Sequence, residues 1–409
     1  MRVVVFSHGH PTFNKGGGEI AAWNLYRAID AAPGHDAWFI ARSERANMHL
    51  GAHVAMLGER EFLVSGQADC AELSATIPLD DDSDFVTLLR AIDPDVLHFH
   101  HYYLLGLETI RAARRACPRA RIVLTLHDYM GICANMGQML KTSGTLCHQA
   151  SPRECAQCFP DRSPEDFFLR ERYVRNHFAL VDDFISPSRF LAGRYAEWGL
   201  PPDRLHVIEN CLVGGVRPPS RAIAPGEGRG RFAYIGQINP FKGVDLVLEA
   251  FVRLPRRVRE RVTLDVYGVG LEAQTTAYRS RVDALLAESG RTVQLHGAYD
   301  QREIGAILAA IDWVVMGSVW WENSPLVIQE AHQYGRPVIC PDIGGMSEKV
   351  EEGVGGRKYR AADAASLASL VASVQADETG YEALCARLPT PAGSEACVRS
   401  HLSVYGPRS

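Results

Sequence analysis

The chain has 409 residues, 46% of them hydrophobic and 22% charged, which is typical of a globular protein and long enough to predict two domains. The formal net charge of −5 excludes the broad cationic surface of a nucleic-acid binder. No apolar run approaches the roughly 18–20 residues of a membrane span, and the first residues lack a signal-peptide pattern. We therefore expect a soluble, cytoplasmic protein whose ten cysteines are mostly reduced.

Short apolar runs alternate with helix-period segments through the first half of the chain. Because near-continuous apolar strands that alternate with helices are typical of a parallel sheet covered on both faces, we expect such a sheet here. The predicted strands are 2–8, 95–101, 121–127 and 182–188, and the predicted helices are 19–30 and 84–93.

This pattern breaks at 213–230, where eight of eighteen residues are Gly or Pro, which predicts a linker. Strand patterns then restart at 231–237, 262–268, 293–299, 312–318 and 336–342. The fold class is therefore predicted as α/β, with two Rossmann-like, doubly wound domains and a ligand cleft at the carboxyl ends of their parallel strands. The predicted bounds are 1–212 for the first domain, 231–385 for the second, and 386–409 for a helical segment that packs back on the first.

Two glutamates flank a predicted helix start within 318–345. Ser324 suits the N-cap of this helix and Pro325 its first position. The unpaired amides of the first turn and the positive end of the helix dipole predict a phosphate site. Glu322 and Glu330 would then accept hydrogen bonds from sugar hydroxyls on either side. The alternative is an ordinary capped helix with Glu330 in an exposed ion pair.

Two other loops have features of a phosphate site. Lys242 follows a predicted strand and is placed to meet a diphosphate as a point charge, although a solvated surface lysine is the alternative. Gly16, Gly17 and Gly18 would let backbone amides approach a phosphate. The glycines form neither G-x-G-x-x-G nor a P-loop, so we set aside a dehydrogenase and a P-loop ATPase.

The motifs and their order along the chain resemble those of the retaining glycosyltransferases of family 4, which have the GT-B fold. The resemblance covers nearly the whole chain. The glutamate pair matches the E-x7-E motif of that family. The other segments that carry the resemblance are GGGE (16–19), HDY (127–129), GQINPFKGVDLVLEAF (236–251) and GRPVICPDIGGMSEKVEEGVGG (335–356).

The resemblance implies a nucleotide-diphosphate sugar as donor, bound mainly by the second domain. Glu330 would hold the ribose and Glu322 the donor sugar, while Lys242 would neutralise the departing diphosphate. Backbone amides near the helix start would face the phosphates, and the first-domain glycines would close over them. The residues concerned are Asn323, Ser324 and Leu326 at the helix start, and Gly17 and Gly18 in the first domain.

His127, at the end of a first-domain strand, would by the same resemblance approach the reacting sugar. The chain departs from the family pattern at Gln237, where relatives often have arginine. Stabilisation of the leaving diphosphate would therefore depend more on Lys242 and on the amino end of the helix. The resemblance also implies retention of configuration, no catalytic divalent metal, and a glycan or lipid-linked glycan acceptor in surface-polysaccharide or lipopolysaccharide assembly. A catalytically silent sugar-nucleotide-binding protein and a GT-B epimerase are the alternatives.

Four cysteines lie close together directly after the HDY segment, within a predicted insert at 131–160. Cys155 and Cys158 form a C-x2-C pair, and Cys133 and Cys147 would complete a structural tetrathiolate zinc site. A resembling subset of the family has cysteines here. Free thiols and disulfides are the alternatives.

The segment 165–178 mixes aromatic residues with arginines. It predicts either a helix whose aromatic side chains pack inward or a peripheral contact with an anionic membrane or a lipid-diphosphate acceptor.

Overall fold

A computed structural model describes residues 1–14, 16–44, 48, 52–69, 71–214, 217–224 and 226–406. These residues form two units. Met1–Val213 and Ala392–Ser409 make up the first unit, and Gly214–Pro391 makes up the second. Each unit contains a parallel sheet with helices, so the predicted α/β class with two Rossmann-like domains is confirmed.

The first unit is built on an eight-stranded sheet in the order β10-β9-β8-β7-β1-β2-β4-β3. Among the described strands of this sheet, only the β3–β4 pair is antiparallel. A short antiparallel pair, β5–β6, lies apart from this sheet. The strands are β1 Arg2–Ser7, β2 Asp36–Arg42, β3 Val54–Gly58, β4 Glu61–Val64, β5 Ala68–Asp69, β6 Ser74–Ala75, β7 Val96–Phe99, β8 Arg121–Thr125, β9 Asp183–Ser186 and β10 Leu205–Val207.

Within the described part of this unit, six helices connect the strands, and serine caps begin four of them. The most complete start is at α5, where Ser163 and Asp166 form a capping box ahead of Pro164. The helices are α1 Gly17–Asp30, α2 Asp84–Ile92, α3 Glu108–Ala116, α4 Pro152–Cys158, α5 Pro164–Phe178 and α6 Arg189–Trp198.

The second unit has a six-stranded, fully parallel sheet in the order β13-β12-β11-β14-β15-β16. Its strands are β11 Arg231–Ile235, β12 Thr263–Tyr267, β13 Val293–Gly297, β14 Trp313–Val315, β15 Val338–Pro341 and β16 Gly356–Tyr359. Its helices are α7 Val244–Val252, α8 Arg256–Arg259, α9 Thr276–Ser289, α10 Ile304–Ala310, α11 Leu326–Gln333, α12 Gly344–Lys349, α13 Ala364–Val374 and α14 Glu378–Cys385.

Each sheet has a switch point, where neighbouring strands connect outward in opposite directions. In the second unit it lies between β11 and β14, and in the first between β1 and β7. The loops that follow such a pair diverge and leave a crevice at the carboxyl edge of the sheet. Both predicted groups of site residues lie in loops that follow strands at or beside these points.

The last helix, α15 Ser394–Tyr405, returns to the first unit. Cys397, Val398, Val404 and Tyr405 are buried in one cluster with residues of the sheet and α1. The helix predicted at the end of the chain is therefore present. Residues 407–409 of the predicted 386–409 segment lie outside the described residues.

The predicted linker at 213–230 contains no helix or strand among its described residues, and positions 215, 216 and 225 lie outside them. Two of its arginines bond to other parts of the second unit, which begins at Gly214. Arg217 Nη2 donates to Cys385 O at 2.5 Å, and Arg221 Nη2 pairs with Asp312 Oδ2 at 2.9 Å.

Candidate functional site

The loops after β11 and β14 bring Lys242 and Glu322 together in the second unit. Asn239 Oδ1 accepts hydrogen bonds from the amides of Phe241 and Lys242, at 3.1 and 2.9 Å, and thereby shapes the first loop. Lys242 Nζ lies 2.6 Å from Glu322 Oε1. A predicted diphosphate-binding cation and a predicted sugar-binding carboxylate are thus direct neighbours.

Glu322 is buried, and two further donors hold its carboxylate. Ser318 Oγ donates to Glu322 Oε1 at 2.7 Å, and Trp320 Nε1 donates to the same oxygen at 3.1 Å. The Glu322 side chain is 6% exposed, whereas that of Lys242 is 29% exposed. The carboxylate is therefore fixed in place, while the ammonium group remains accessible to a ligand.

Two glycines are required by this packing. Gly243 has a φ of 62°, in the left-handed region, and a Cβ there would lie 2.0 Å from Gly317 O. Gly345 N donates to Glu322 O at 2.7 Å, and a Cβ on Gly345 would lie 1.5 Å from Asn323 O. A side chain at either position would push the loops apart.

The predicted start of the helix after Glu322 is wrong by one residue. Helix α11 begins at Leu326, and its N-cap is Pro325, which has an extended backbone with φ −60° and ψ 123°. Because Pro325 has not yet turned into the helix, Ser324 is not the N-cap. The first-turn amides therefore begin at Leu326, and Asn323 and Ser324 are buried just before them.

Glu330 lies in the middle of α11 and is 6% exposed. Gln301 Nε2 donates to Glu330 Oε1, and burial raises the pKa of Glu330. Burial, and then the Glu330 carboxylate, raise the pKa of the nearby Tyr299. The alternative of an exposed ion pair for Glu330 is therefore wrong. Gln301 was not foreseen, since nothing in its local sequence distinguishes it.

Gln237 is exposed at the start of the loop that follows β11. Its Oε1 accepts from Asn239 Nδ2 at 3.4 Å, and its backbone carbonyl accepts from Tyr234 Oη at 2.7 Å. It adds no positive charge beside Lys242.

In the first unit, His127 lies at the end of β8 within a group of histidines. Its Nε2 is 3.1 Å from His100 Nδ1, and a Cβ on Gly18 would lie 3.9 Å from its ring. His101 Nε2 lies 3.1 Å from Asp128 Oδ2. The predicted His127 and the predicted glycine loop are therefore adjacent.

The tautomer of His127 follows from its neighbour. Among the described residues, His100 Nε2 is buried without a hydrogen-bond partner. A buried N–H without a partner is costly, so the favoured tautomer of His100 has its proton on Nδ1. That proton is donated to His127 Nε2, and His127 then has its own proton on Nδ1.

Burial, with smaller effects from His101 and His8, lowers the pKa of His127 to about 3. Burial also lowers the pKa of His100 well below its ordinary value. His127 is therefore a neutral imidazole at physiological pH. It can donate a hydrogen bond through Nδ1, but it cannot serve as a cationic acid.

Gly16 is the N-cap of α1, so Gly17 and Gly18, predicted to precede the helix, form its first turn with Glu19. Glu19 Oε1 lies 3.1 Å from His8 Nε2, and a Cβ on Gly16 would lie 2.3 Å from Glu19 Oε2. Burial opposes ionisation of Glu19, but the hydrogen bond and charge of His8 outweigh it and lower its pKa. This carboxylate occupies the space beside the glycines, a role that the GGGE motif did not by itself indicate.

The four clustered cysteines line one small void together with Lys141, Glu154 and neighbouring residues. Cys133 and Cys147 are buried, and Cys155 and Cys158 are half-buried. No group of three or more His, Cys, Asp or Glu within the described ranges has an arrangement that would hold a metal ion.

The aromatic–basic segment forms α5, and the inward packing predicted for it is confirmed for Phe167 and Phe178, which are buried. It is wrong for Phe168, which is 54% exposed, because the helix turns this residue away from the core. In the part of the chain that the structure describes, no helix is both long and apolar enough to span a bilayer.

Two family models match the chain. The model described as "Glycosyltransferase Family 4" matches residues 15–212, and the model described as "Glycosyl transferases group 1" matches residues 220–388.

Curated relatives match over part of their length. The chain is 32% identical to glycogen synthase of Mycobacterium tuberculosis over 171 residues, 42% of this chain and 40% of the relative. It is 28% identical to the lipopolysaccharide 1,2-N-acetylglucosaminetransferase of Salmonella typhimurium over 196 residues, 46% of this chain and 50% of the relative. The chain thus spans two-fifths to one half of the length of these relatives.

Solved structures share the fold over nearly the whole chain. The HepE protein of Anabaena in complex with UDP is 15% identical with a TM-score of 0.64, and the alignment covers 98% of this chain and 99% of that one. Sucrose-phosphate synthase of Thermosynechococcus elongatus is 18% identical with a TM-score of 0.65, covering 99% and 98%. With two family models on consecutive halves and a common fold, the chain belongs to the family 4 type of GT-B glycosyltransferases.

Proposed function

We propose that this protein is a retaining glycosyltransferase that moves a sugar from a nucleotide-diphosphate sugar to a glycan or lipid-linked glycan. The observation that carries the proposal is the Lys242–Glu322 pair at the switch point of the second sheet, just before the amino end of α11. Similar folds crystallised with UDP and with UDP-glucose support a nucleotide sugar as donor.

The groups in this crevice suit a departing diphosphate. Transfer breaks the bond from the anomeric carbon to the phosphate oxygen and forms one to the acceptor oxygen, whose proton passes to the leaving phosphate. Negative charge therefore builds up on the diphosphate, where Lys242 and the first-turn amides of α11 would stabilise it. Glu322 would hold donor-sugar hydroxyls and Glu330 the ribose. None of these roles calls for a catalytic divalent metal.

Lys242→Ala tests the donor site. Removing the ammonium group should weaken UDP binding by at least about tenfold, or ~1.4 kcal/mol, because a charge that meets the diphosphate is lost. Isothermal titration with UDP measures this effect. Lys141→Ala is the matched control, since Lys141 pairs with Glu154 at 2.7 Å and is similarly exposed at 32%.

Equal UDP affinity in the wild type and Lys242→Ala would contradict this placement of the diphosphate. Screening sugar nucleotides by thermal shift would then identify the donor. A donor at about 100 times its Kd should stabilise the folded state by roughly 2.7 kcal/mol. Turnover of that donor separates the alternatives: transfer or slow hydrolysis indicates a transferase, isomerised donor an epimerase, and binding without turnover a silent binding protein.

For the cysteine insert we propose a structural zinc ion held by Cys133, Cys147, Cys155 and Cys158. The proposal is supported by the C-x2-C spacing and by the void that all four residues line. A tetrathiolate site of this kind would have no open coordination position, so the ion would cross-link the insert and would not take part in catalysis.

Metal analysis of protein purified from zinc-replete medium should find about one zinc per chain, and Cys155→Ser with Cys158→Ser should abolish it. Cys340→Ser is the control, since Cys340 is a buried thiol of the second unit. Zinc-free wild-type protein would refute the proposal and leave reduced thiols or disulfides.

A peripheral contact with the membrane is supported only by Phe168 and Leu169, whose side chains are exposed on α5.

A further inference from the structure

A cavity of about 540 Å³ opens in the first unit, and all the residues that line it belong to that unit. Its walls come from the β5–β6 hairpin, the start of α3, the residues just before α5 and the α5 helix as far as Tyr173. The hairpin is tied to α3 because Leu107 N donates to Leu73 O at 2.9 Å. None of the motifs noted in the sequence includes the hairpin or the start of α3.

Glu108 and Tyr173 are neighbours in the wall of this cavity. Ser74 Oγ donates to Glu108 Oε1, and Gly106, with φ +80°, leaves room for the carboxylate, since a Cβ there would lie 2.6 Å from Glu108 Oε2. Glu108 Oε2 and Tyr173 Oη are buried, and neither completes a hydrogen bond of normal geometry with another described residue. They are still close enough to interact, since burial and then Glu108 raise the pKa of Tyr173. Both side chains line the cavity, where a ligand hydroxyl could replace this contact.

Arg170 connects the cavity to the segment that contains His127. This residue is 6% exposed, and its Nη2 donates to Met130 O at 2.7 Å. The amide of Met130 in turn donates to Asp128 Oδ1 at 2.7 Å. A ligand in the cavity would contact Arg170, which is in turn hydrogen-bonded to the segment that follows β8.

The charges of the cavity disfavour a phosphate. Three carboxylates line it against two guanidinium groups, and Arg162 Nη1 is already paired with Glu72 Oε1 at 2.7 Å. An anion would be repelled by the excess carboxylate, whereas hydroxyl groups can donate to carboxylates and accept from guanidinium or phenol groups. The Tyr173 ring and the exposed Leu169 add an apolar surface for a pyranose face. A neutral polyhydroxylated ligand fits this combination.

We propose that this cavity binds a saccharide unit of the acceptor. The proposal rests on the glycosyl transfer proposed above, and it assigns the acceptor's sugar, rather than any phosphate of it, to the first unit. Tyr173, Glu108 and Leu169 are the binding residues, and Arg170 is a positioning residue.

Saturation-transfer NMR with methyl glycosides of glucose, galactose, mannose and N-acetylglucosamine tests this on the full chain. UDP is present at saturation, so that the donor site is occupied. At least one glycoside should bind, and Tyr173→Phe or Leu169→Trp should weaken it by about tenfold or more. UDP affinity should be unchanged in both variants. Glu165→Gln is the control, because Glu165 is exposed on α5 and lies outside the cavity lining.

Three results would overturn the proposal. These are the absence of glycoside binding beside bound UDP, binding that neither variant alters, and displacement of the glycoside by inorganic pyrophosphate in the presence of UDP. A failure of the donor site is distinguishable, since it shows as loss of UDP binding in the wild type whatever the glycosides do.

Discussion

At the scale of single residues, the site is defined by pairs of groups that fix one another. Lys242 and Glu322 hold each other at 2.6 Å, and His100 and His127 are 3.1 Å apart. In the second pair, burial keeps both imidazoles neutral. His127 is therefore suited to donate a hydrogen bond to a sugar hydroxyl and unsuited to carry a proton between reaction steps.

His127→Ala should lower transfer activity by about a hundredfold or more, because a positioned donor in a dry site is lost, while UDP affinity stays within about threefold of the wild type. Steady-state kinetics and UDP titration measure the two effects. His206→Ala is the control, since that half-exposed imidazole pairs with Asp183 at 3.0 Å. Near-normal turnover of His127→Ala would refute the role.

His127 should not contribute an acidic limb to the pH profile near neutrality. With a pKa of about 3 it stays unprotonated throughout the ordinary assay range. A limb near pH 6.5 that disappears in His127→Gln would show that the imidazole titrates where an exposed histidine does, against this interpretation.

At the scale of elements, the site depends on how closely loops approach one another. Gly345 is the second residue of α12 and packs directly against the backbone of Asn323. Gly243 lies against Gly317 in the same way. The paired glycines at 344–345 are thus required by the contact between the start of α12 and the segment before α11.

Gly345→Ala should lower the melting temperature and weaken UDP binding together, because the new methyl group would overlap Asn323 O unless the segment before α11 moves. Thermal unfolding and UDP titration test this. Gly193→Ala is the control: Gly193 lies exposed in α6 with nothing within 4 Å of an added Cβ, so the change should be neutral or stabilise by up to about 1 kcal/mol. Unchanged UDP affinity in Gly345→Ala would show that the loop accommodates the methyl group.

At the scale of the whole molecule, buried neutral histidines couple the stability of the first unit to pH. His98 lies between Tyr405 and Thr125, at 2.6 and 2.8 Å, and His401 Nδ1 donates to Cys397 O at 2.8 Å. Burial lowers the pKa of His98 well below its ordinary value and that of His401 to about 4. Both residues lie where α15 packs on the sheet.

The free energy of unfolding should fall as the pH drops below about 6.5. In that range the unfolded chain binds protons that the folded chain cannot, so each such histidine costs roughly 1.4 kcal/mol per pH unit until its folded pKa is reached. Above pH 6.5 this contribution is constant. Urea unfolding of the wild type and His401→Gln at pH 7.5 and pH 5 measures it.

The His401→Gln variant should show a smaller loss between the two pH values than the wild type. Equal losses would mean that His401 is not held neutral in the folded state.

The sequence by itself determined the strand–helix alternation and the two-domain division, because both depend on local periodicity. It also determined that the key motifs of each domain lie near one another, because the strand ends they follow meet at one edge of a parallel sheet. Only the tertiary structure decided which groups touch. Gln301 reaches Glu330 from 29 residues away, His100 reaches His127 from the neighbouring strand, and a hairpin that no motif marked closes the cavity around Tyr173. Such contacts come from packing between distant segments, where burial and hydrogen bonding select the partner, and no local pattern records that selection.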